Sequence, residues 1–365
     1  LLDGKTVKRK FNYYAKKLVA LDAKINFDIF PTNYNEEVRK FFSDDYYNPS
    51  YEYKQFGYQV LDIASLNTEI ATDSFLPREL TEYLQRKLEK LHQRHVFSMK
   101  IGRSDFYNAS LAYYDWNLDL KIPLHKYLYK EPREEEKDVT ASVMEEIFRK
   151  VIYNNHIEGW SVRTDVENDF TIRVNHSSKE LIIGARVKKS IAEVERLIVH
   201  EIGTHIWRGY QSTKQPNLIL QHLRYPDVML IEEGIAVYNE NNSSLGRVPM
   251  KSYALRYMAV EHIEYSFRDI YNLLLNYTGE EESFQTAFRV KRGMANTAQP
   301  GGYLKDAAYL LGLHRISQAM NSSNNLWQKV MSAKISLNDI FLENYDLLSV
   351  FPYTFEYDLG EYLEI

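Results

Sequence analysis

The chain has 365 residues, 44% of them apolar, and a formal charge of −5 from 45 basic and 50 acidic side chains. That acidic balance supplies no basic footprint for nucleic-acid binding, and no apolar run approaches the ~20 residues of a membrane-spanning helix. The absence of cysteine excludes a disulfide framework, a thiol nucleophile, a cysteine zinc finger and an iron–sulfur cluster, and fits a reducing, cytoplasmic setting.

Apolar groups at Phe11, Tyr14, Leu18 and Val19 predict a helix over 7–20. Residues 44–50 form a turn cluster, and 51–63 read as short extended pieces. Pro77 opens a helix running to about Gln93, with Leu80, Tyr83, Leu84, Leu88 and Leu91 as its apolar stripe. His92 and His95 fall on its charged face. The stretch 129–138 holds Pro132 and a run of charges. It divides the chain into an N-terminal accessory region, 1–135, packed on a core domain, 136–365.

The core domain begins with a predicted helix over 142–154. An alternating strand ending at Val174, a turn at 176–179 and a return over Glu180–Gly184 predict a β-hairpin. Ser190 and Glu193 have capping-box spacing, so a helix starts there, with Ile191, Val194, Leu197, Ile198 and Ile202 as one stripe. From Tyr253 onward the pattern is mostly helical, broken at Gly279 and at Pro300-Gly301-Gly302. A small sheet followed by many helices makes the fold class α+β. His314 sits in an apolar helix and reads as a core residue; His222 and His262 are candidates for an outer role around a site.

One segment carries chemistry: His200-Glu201-Ile202-Gly203-Thr204-His205. Zinc peptidases place two histidines at i and i+4 on one helix face, with a glutamate as base. Here the spacing is i and i+5, and on an ideal helix five residues separate the rings by ~140°. Two readings follow. Either the histidines are unrelated groups near a helix end, or a one-residue π-bulge brings them onto one face, with Gly203 as the residue that deforms most easily. A glutamate pair, Glu232-Glu233, follows in an apolar helix, 28 residues after His205 (233 − 205) for the second of them. Two adjacent acids there are costly unless something cationic compensates them.

Taken together, His200-Glu201-Ile202-Gly203-Thr204-His205, Arg208-Gly209, Glu232-Glu233-Gly234-Ile235-Ala236 and Arg289-Val290-Lys291-Arg292-Gly293 resemble the microtubule-associated tyrosine carboxypeptidase family and its bacterial "QEGLA motif" relatives. The likeness runs in order through about 140–320 and extends weakly to 45–53 and 102–110. Its glutamine position holds Glu232 and its leucine position Ile235. The resemblance implies a zinc metallopeptidase core with an active-site helix, a small β-sheet and a mostly helical C-terminal part, so that 136–365 is the catalytic domain. It places one Zn2+ per chain on His200, His205 and Glu233, and the catalytic base on Glu201. Glu232 is then expected to be dispensable for metal binding.

The activity implied is removal of a C-terminal aromatic residue, tyrosine or phenylalanine, from a peptide or protein. A carboxypeptidase also needs a cation for the terminal carboxylate. Lys291 and Arg292 are the first candidates, followed by Arg224 and Arg208. Lys188-Lys189 precede a helix start and read as a solvated turn. The net charge of −5 promises no basic groove for an acidic tail, so the substrate is left as a peptide C-terminus without naming tubulin. The partners expected are that C-terminus, with no nucleic acid and no membrane; the oligomeric state is open. Two alternatives stand beside this reading: an endopeptidase or aminopeptidase with the same metal centre, and a non-catalytic regulatory protein that keeps the metal-dependent fold.

Overall fold

Helix Gly4–Asp22 opens the chain, capped by Asp3, whose carboxylate accepts from the Lys5 and Thr6 amides, and it buries Phe11, Tyr14 and Leu18. It belongs to a computed structural model that describes residues 3–57, 61–118, 121–129, 137–166, 171–243, 250–322 and 325–362. Two compact units make up the chain: Leu1–Lys130 with Leu223–Asp227 and Met250–Leu311, and Glu131–His222 with Val228–Pro249 and Gly312–Ile365. This differs from a single cut at 135/136, because 250–311 packs with the N-terminal segment. The charge run that suggested the cut lies largely outside the described residues.

The first unit is helical. Helix Arg78–Lys100 is longer than its sequence pattern suggested. His95 on it is buried rather than on the charged face, because it follows buried Leu88 and Leu91 on the same side of the helix, seven and four residues back. Residues 51–57 form neither helix nor strand, and an isolated bridge pairs Ser50 just before them with Asn296. Arg268 joins three parts of this unit. Its guanidinium lies 3.5 Å over the Phe41 ring and donates to the carbonyls of Phe41 at 2.7 Å and Asp44 at 2.6 Å. Around Phe41, the rings of Phe267, Tyr271 and Phe284 meet edge-on at centroid distances of 4.9–5.1 Å, a geometry the ring quadrupoles favour.

The second unit is α+β. A three-stranded sheet has Glu180–Gly184 in the centre, antiparallel to Ile172–Asn175 and parallel to Ser161–Asp165. The hairpin is as the alternation predicts. The parallel strand is an addition, and so is a two-residue ribbon pairing Val139–Thr140 with Lys188–Lys189. Lys189 therefore lies in a strand rather than a turn, 2.9 Å from Glu193. Leu181, Ile182 and Ile183 of the central strand are all buried. With Met144, Ile147, Phe148 and Val151 of helix Ala141–Asn154, Leu181 and Ile183 form a core that also takes Val194, Leu197, Ile198, Ile202 and Ile206. That core fixes the buried face of the histidine helix. Ile191, the first residue of its expected stripe, is exposed instead. His314 is half-buried, not a core residue. No helix among the described residues is long and apolar enough to cross a membrane.

Candidate metal centre and active site

Ser190 starts the helix that carries the two histidines. Its hydroxyl accepts from the Glu193 amide at 3.2 Å, and the Glu193 carboxylate accepts from the Ser190 amide at 3.0 Å, a complete capping box. The helix is α over Ile191–Leu197, π over Ile198–Ile206 and α again over Trp207–Thr213. The π segment is wider than the single bulge the spacing required. In it, residues five apart share a face, and the rings of His200 and His205 lie 4.8 Å apart between centroids.

Local contacts support the widened turn. The Thr204 hydroxyl donates to the Val199 carbonyl at 2.9 Å, five residues back, and the Tyr353 hydroxyl donates to the Gly203 carbonyl at 3.0 Å. Asn239 Nδ2 donates to Thr204 Oγ1 at 3.0 Å. Gly203 has a second reason to be glycine. A Cβ there would meet the Phe355 ring at 2.7 Å and Tyr353 Oη at 3.2 Å.

The imidazole nitrogens are sorted by buried carboxylates. His200 Nδ1 is 2.5 Å from Glu240 Oε1, and His205 Nδ1 is 2.7 Å from Glu232 Oε1. A histidine that gives its Nδ1 proton to a carboxylate presents the Nε2 lone pair, the usual arrangement around a metal-ligating ring. Burial alone would push His200 down; the Glu240 carboxylate outweighs it and holds the ring above its ordinary value. Burial pushes the Glu240 carboxyl up, and His200 and Arg196, the latter 3.0 Å away, outweigh it.

Glu232 and Glu233 separate in role. Burial pushes Glu232 up, but Arg208 and Lys334 hold it well below the ordinary carboxylate range. These are the cations that the paired acids needed. Glu233 Oε2 stands 3.8 Å from His205 Nε2, on the other side of the ring. Gly234 lets this helix approach closely, since a Cβ there would fall 2.1 Å from the Gly312 carbonyl carbon.

His200, Glu201 and His205 each bring one donor atom within 4.8 Å of the others. Two imidazole nitrogens and carboxylate oxygens suit zinc. That cluster has donor chemistry zinc takes; Glu201, expected as the base, is its third member, and Glu233, expected as the third ligand, reaches it through Oε2, 3.8 Å from His205 Nε2. Glu240, Lys334, Asn239 and Tyr353 escaped the sequence analysis. Glu240 left one signal: it lies seven residues after Glu233 (240 − 233), two turns along the same helix face.

A family model described as microtubule-associated tyrosine carboxypeptidase matches residues 39–342. The chain belongs to this family. It is 26% identical over 296 residues to microtubule-associated tyrosine carboxypeptidase 1 of Mus musculus, covering 78% of this chain and 55% of that protein. The Homo sapiens protein of the same name is 26% identical over 296 residues, with 78% and 54% covered. Putative tyrosine carboxypeptidase MATCAP2 of Mus musculus is 25% identical over 307 residues, with 82% and 51% covered. The chain thus spans about half the length of these curated relatives.

The cations expected to read a substrate carboxylate are placed differently from one another. Lys291 is fully buried, and its ammonium donates to the carbonyls of Ile263, Gln299 and Gly301 at 2.8–3.0 Å. Arg208 is also fully buried and bonds Glu232 and the carbonyls of Val330 and Ile335. Both are structural in this arrangement, which corrects their expected role. Arg292 lies over the Tyr303 ring at 5.0 Å, and Arg224 donates to the Leu223 carbonyl at 2.9 Å. His262 Nδ1 is 2.9 Å from the Met258 carbonyl, and His222 ends the short helix Leu218–His222. No outer role around the site is carried by either of these contacts.

Proposed function

We propose that the chain is a zinc-dependent carboxypeptidase that removes a C-terminal aromatic residue, tyrosine first, from a peptide or protein. The observation that carries this is the sorted pair of imidazoles: each Nδ1 is held by its own buried carboxylate, His205 Nε2 lies 3.8 Å from Glu233 Oε2, and both rings cluster with Glu201. Family membership supplies the direction and the residue preference. His200, His205 and Glu233 would hold the zinc. Bound there, it supplies Lewis acidity that polarises the scissile carbonyl and acidifies the attacking water.

The rest is work for the chain's own groups. The Glu201 carboxylate accepts the proton of the attacking water at one of its oxygens. It then returns that proton to the leaving amine, so that no net charge is left behind. Glu232 and Glu240 keep the two rings from rotating. Lys291 and Arg208 are bound within the protein and are not proposed as readers of the terminal carboxylate. The direct test is mass spectrometry of a C-terminal peptide library incubated with zinc-loaded protein. The expected products lack one terminal tyrosine or phenylalanine. Internal cleavage, or loss of N-terminal residues, would favour the other peptidase readings, and no cleavage would favour a regulatory protein.

A further inference from the structure

We propose that Lys334, backed by His176, is a positioning residue for this metal centre, fixing the carboxylate that orients His205; the inference rests on the zinc reading above. Lys334 lies 102 residues after Glu232 (334 − 232) and belongs to no motif. It is 3% exposed. Its Nζ stands 2.5 Å from Glu232 Oε1 and 2.5 Å from His176 Nε2. An ammonium has only protons to give, so both neighbours accept.

The backbone around Lys334 is tied to the histidine helix and its continuation. The Lys334 amide donates to Ser212 Oγ at 2.7 Å. Arg208 donates to the carbonyls of Val330 at 2.8 Å and Ile335 at 3.0 Å, and Gln215 Nε2 donates to the Ser332 carbonyl at 2.7 Å. The segment 330–335 is thus strapped across that helix, and Lys334 is the one side chain it sends to Glu232.

Burying an ammonium is costly, and an apolar side chain would fill the same volume at less cost. What the ammonium adds is orientation. Oε1 of Glu232 receives both His205 Nδ1 and Lys334 Nζ, while Arg208 takes Oε2. Donors on both oxygens fix the plane of the carboxylate, and the carboxylate fixes the plane of the ring. Arg208 approaches from the Oε2 side, with its Nε and Nη2 donating to the carbonyls of Val330 and Ile335. His176 completes the line. It is half-buried in the turn after strand Ile172–Asn175 and packs edge-on to Trp160 at 5.3 Å.

The test uses the full chain, with zinc affinity measured by competition against a chelator and thermal unfolding of the metal-free protein measured alongside. Lys334→Met keeps the stem and removes the charge. It should weaken zinc binding about tenfold or more, as loss of an outer partner of a ligand does, and Lys334→Arg should restore part of it. His176→Gln, at a less buried position, should weaken zinc binding by less and leave the metal-free melting temperature unchanged. If Lys334→Met fails to fold, His176→Gln decides. A parent that binds one zinc while both variants bind it equally well would overturn the inference and leave the site intact. A parent that binds no zinc would overturn the reading beneath it.

Discussion

Glu232 and Glu233 are adjacent in sequence and stand on opposite sides of one imidazole: Glu232 Oε1 lies 2.7 Å from His205 Nδ1, and Glu233 Oε2 lies 3.8 Å from His205 Nε2. A helix displaces consecutive side chains by ~100°, and His205 occupies the space between them. On the zinc reading proposed above, Glu233 is a ligand and Glu232 its supporter, and the two should fail differently when replaced.

Glu233→Ala should abolish stoichiometric zinc in protein purified without chelator. Glu232→Gln should retain zinc but bind it ~10–100-fold more weakly, because the ring of His205 loses its anchor. This replaces the expectation that Glu232 is dispensable. Metal analysis combined with chelator competition checks both. Normal affinity in Glu232→Gln would show that the Nδ1 bond is incidental.

Glu201 is assigned as the base and not as a ligand. Glu201→Gln keeps the shape of the side chain and removes its ability to take a proton. It should keep zinc and fold while peptide hydrolysis falls by at least ~10²-fold. A variant as active as the parent would show that another group accepts the proton.

Gly203 has no space for a side chain against Phe355 and Tyr353. Gly203→Val should destabilise the protein by about 1–3 kcal/mol through overpacking and weaken zinc binding, since the same residue lies between the two histidines. Unfolding in denaturant and chelator competition should both report the damage. A variant that melts with the parent and binds zinc normally would show that the π segment tolerates displacement of the Phe355 ring.

Asp306 is buried and pairs with Arg289, accepting from Nη2 at 2.8 Å and from Nε. Burial pushes its carboxyl up, and the guanidinium outweighs this and holds it well below the ordinary range. A carboxylate lowered in the fold contributes stability above its unfolded value of about 3.9 and loses that contribution as pH falls through the folded value. Asp306→Asn should therefore cost about 3 kcal/mol at pH 7, and the gap to the parent should narrow as pH falls from about 4 toward 2. Denaturant titrations across that range check it; a constant gap would contradict the pairing.

Much of the site was legible because it was local. The Ser190–Glu193 box is four residues long, and its hydrogen bonds are those the spacing requires. The i, i+5 histidines allowed either two unrelated groups or a π turn that brings them together, and nine residues adopt the π turn. The groups that hold the site lie far along the chain. Glu240, Tyr353, Lys334 and His176 come from four separate segments, and single-sequence spacing says nothing of contacts across 114 to 158 residues, such as Tyr353 with Asn239 or Lys334 with His176. Buried cations misled for a related reason. Lys291 and Arg208 look like readers of a substrate carboxylate, but protein oxygens hold them: backbone carbonyls for Lys291, and the Glu232 carboxylate with two carbonyls for Arg208. Strand Ser161–Asp165 was missed because its burial does not alternate cleanly: only Val162 is fully buried. Its place is set by parallel pairing with Glu180–Gly184 rather than by its own pattern.

The central claim is that the protein reads a chain end. An exopeptidase needs the charge of the terminal carboxylate both to bind and to orient the scissile bond. The most direct measurement compares one peptide ending in tyrosine in two forms, free and amidated, incubated with zinc-loaded protein and followed by mass spectrometry. Release of tyrosine from the free peptide alone is the predicted result. Equal cleavage of both forms would contradict the carboxypeptidase assignment and leave an endopeptidase with the same metal centre.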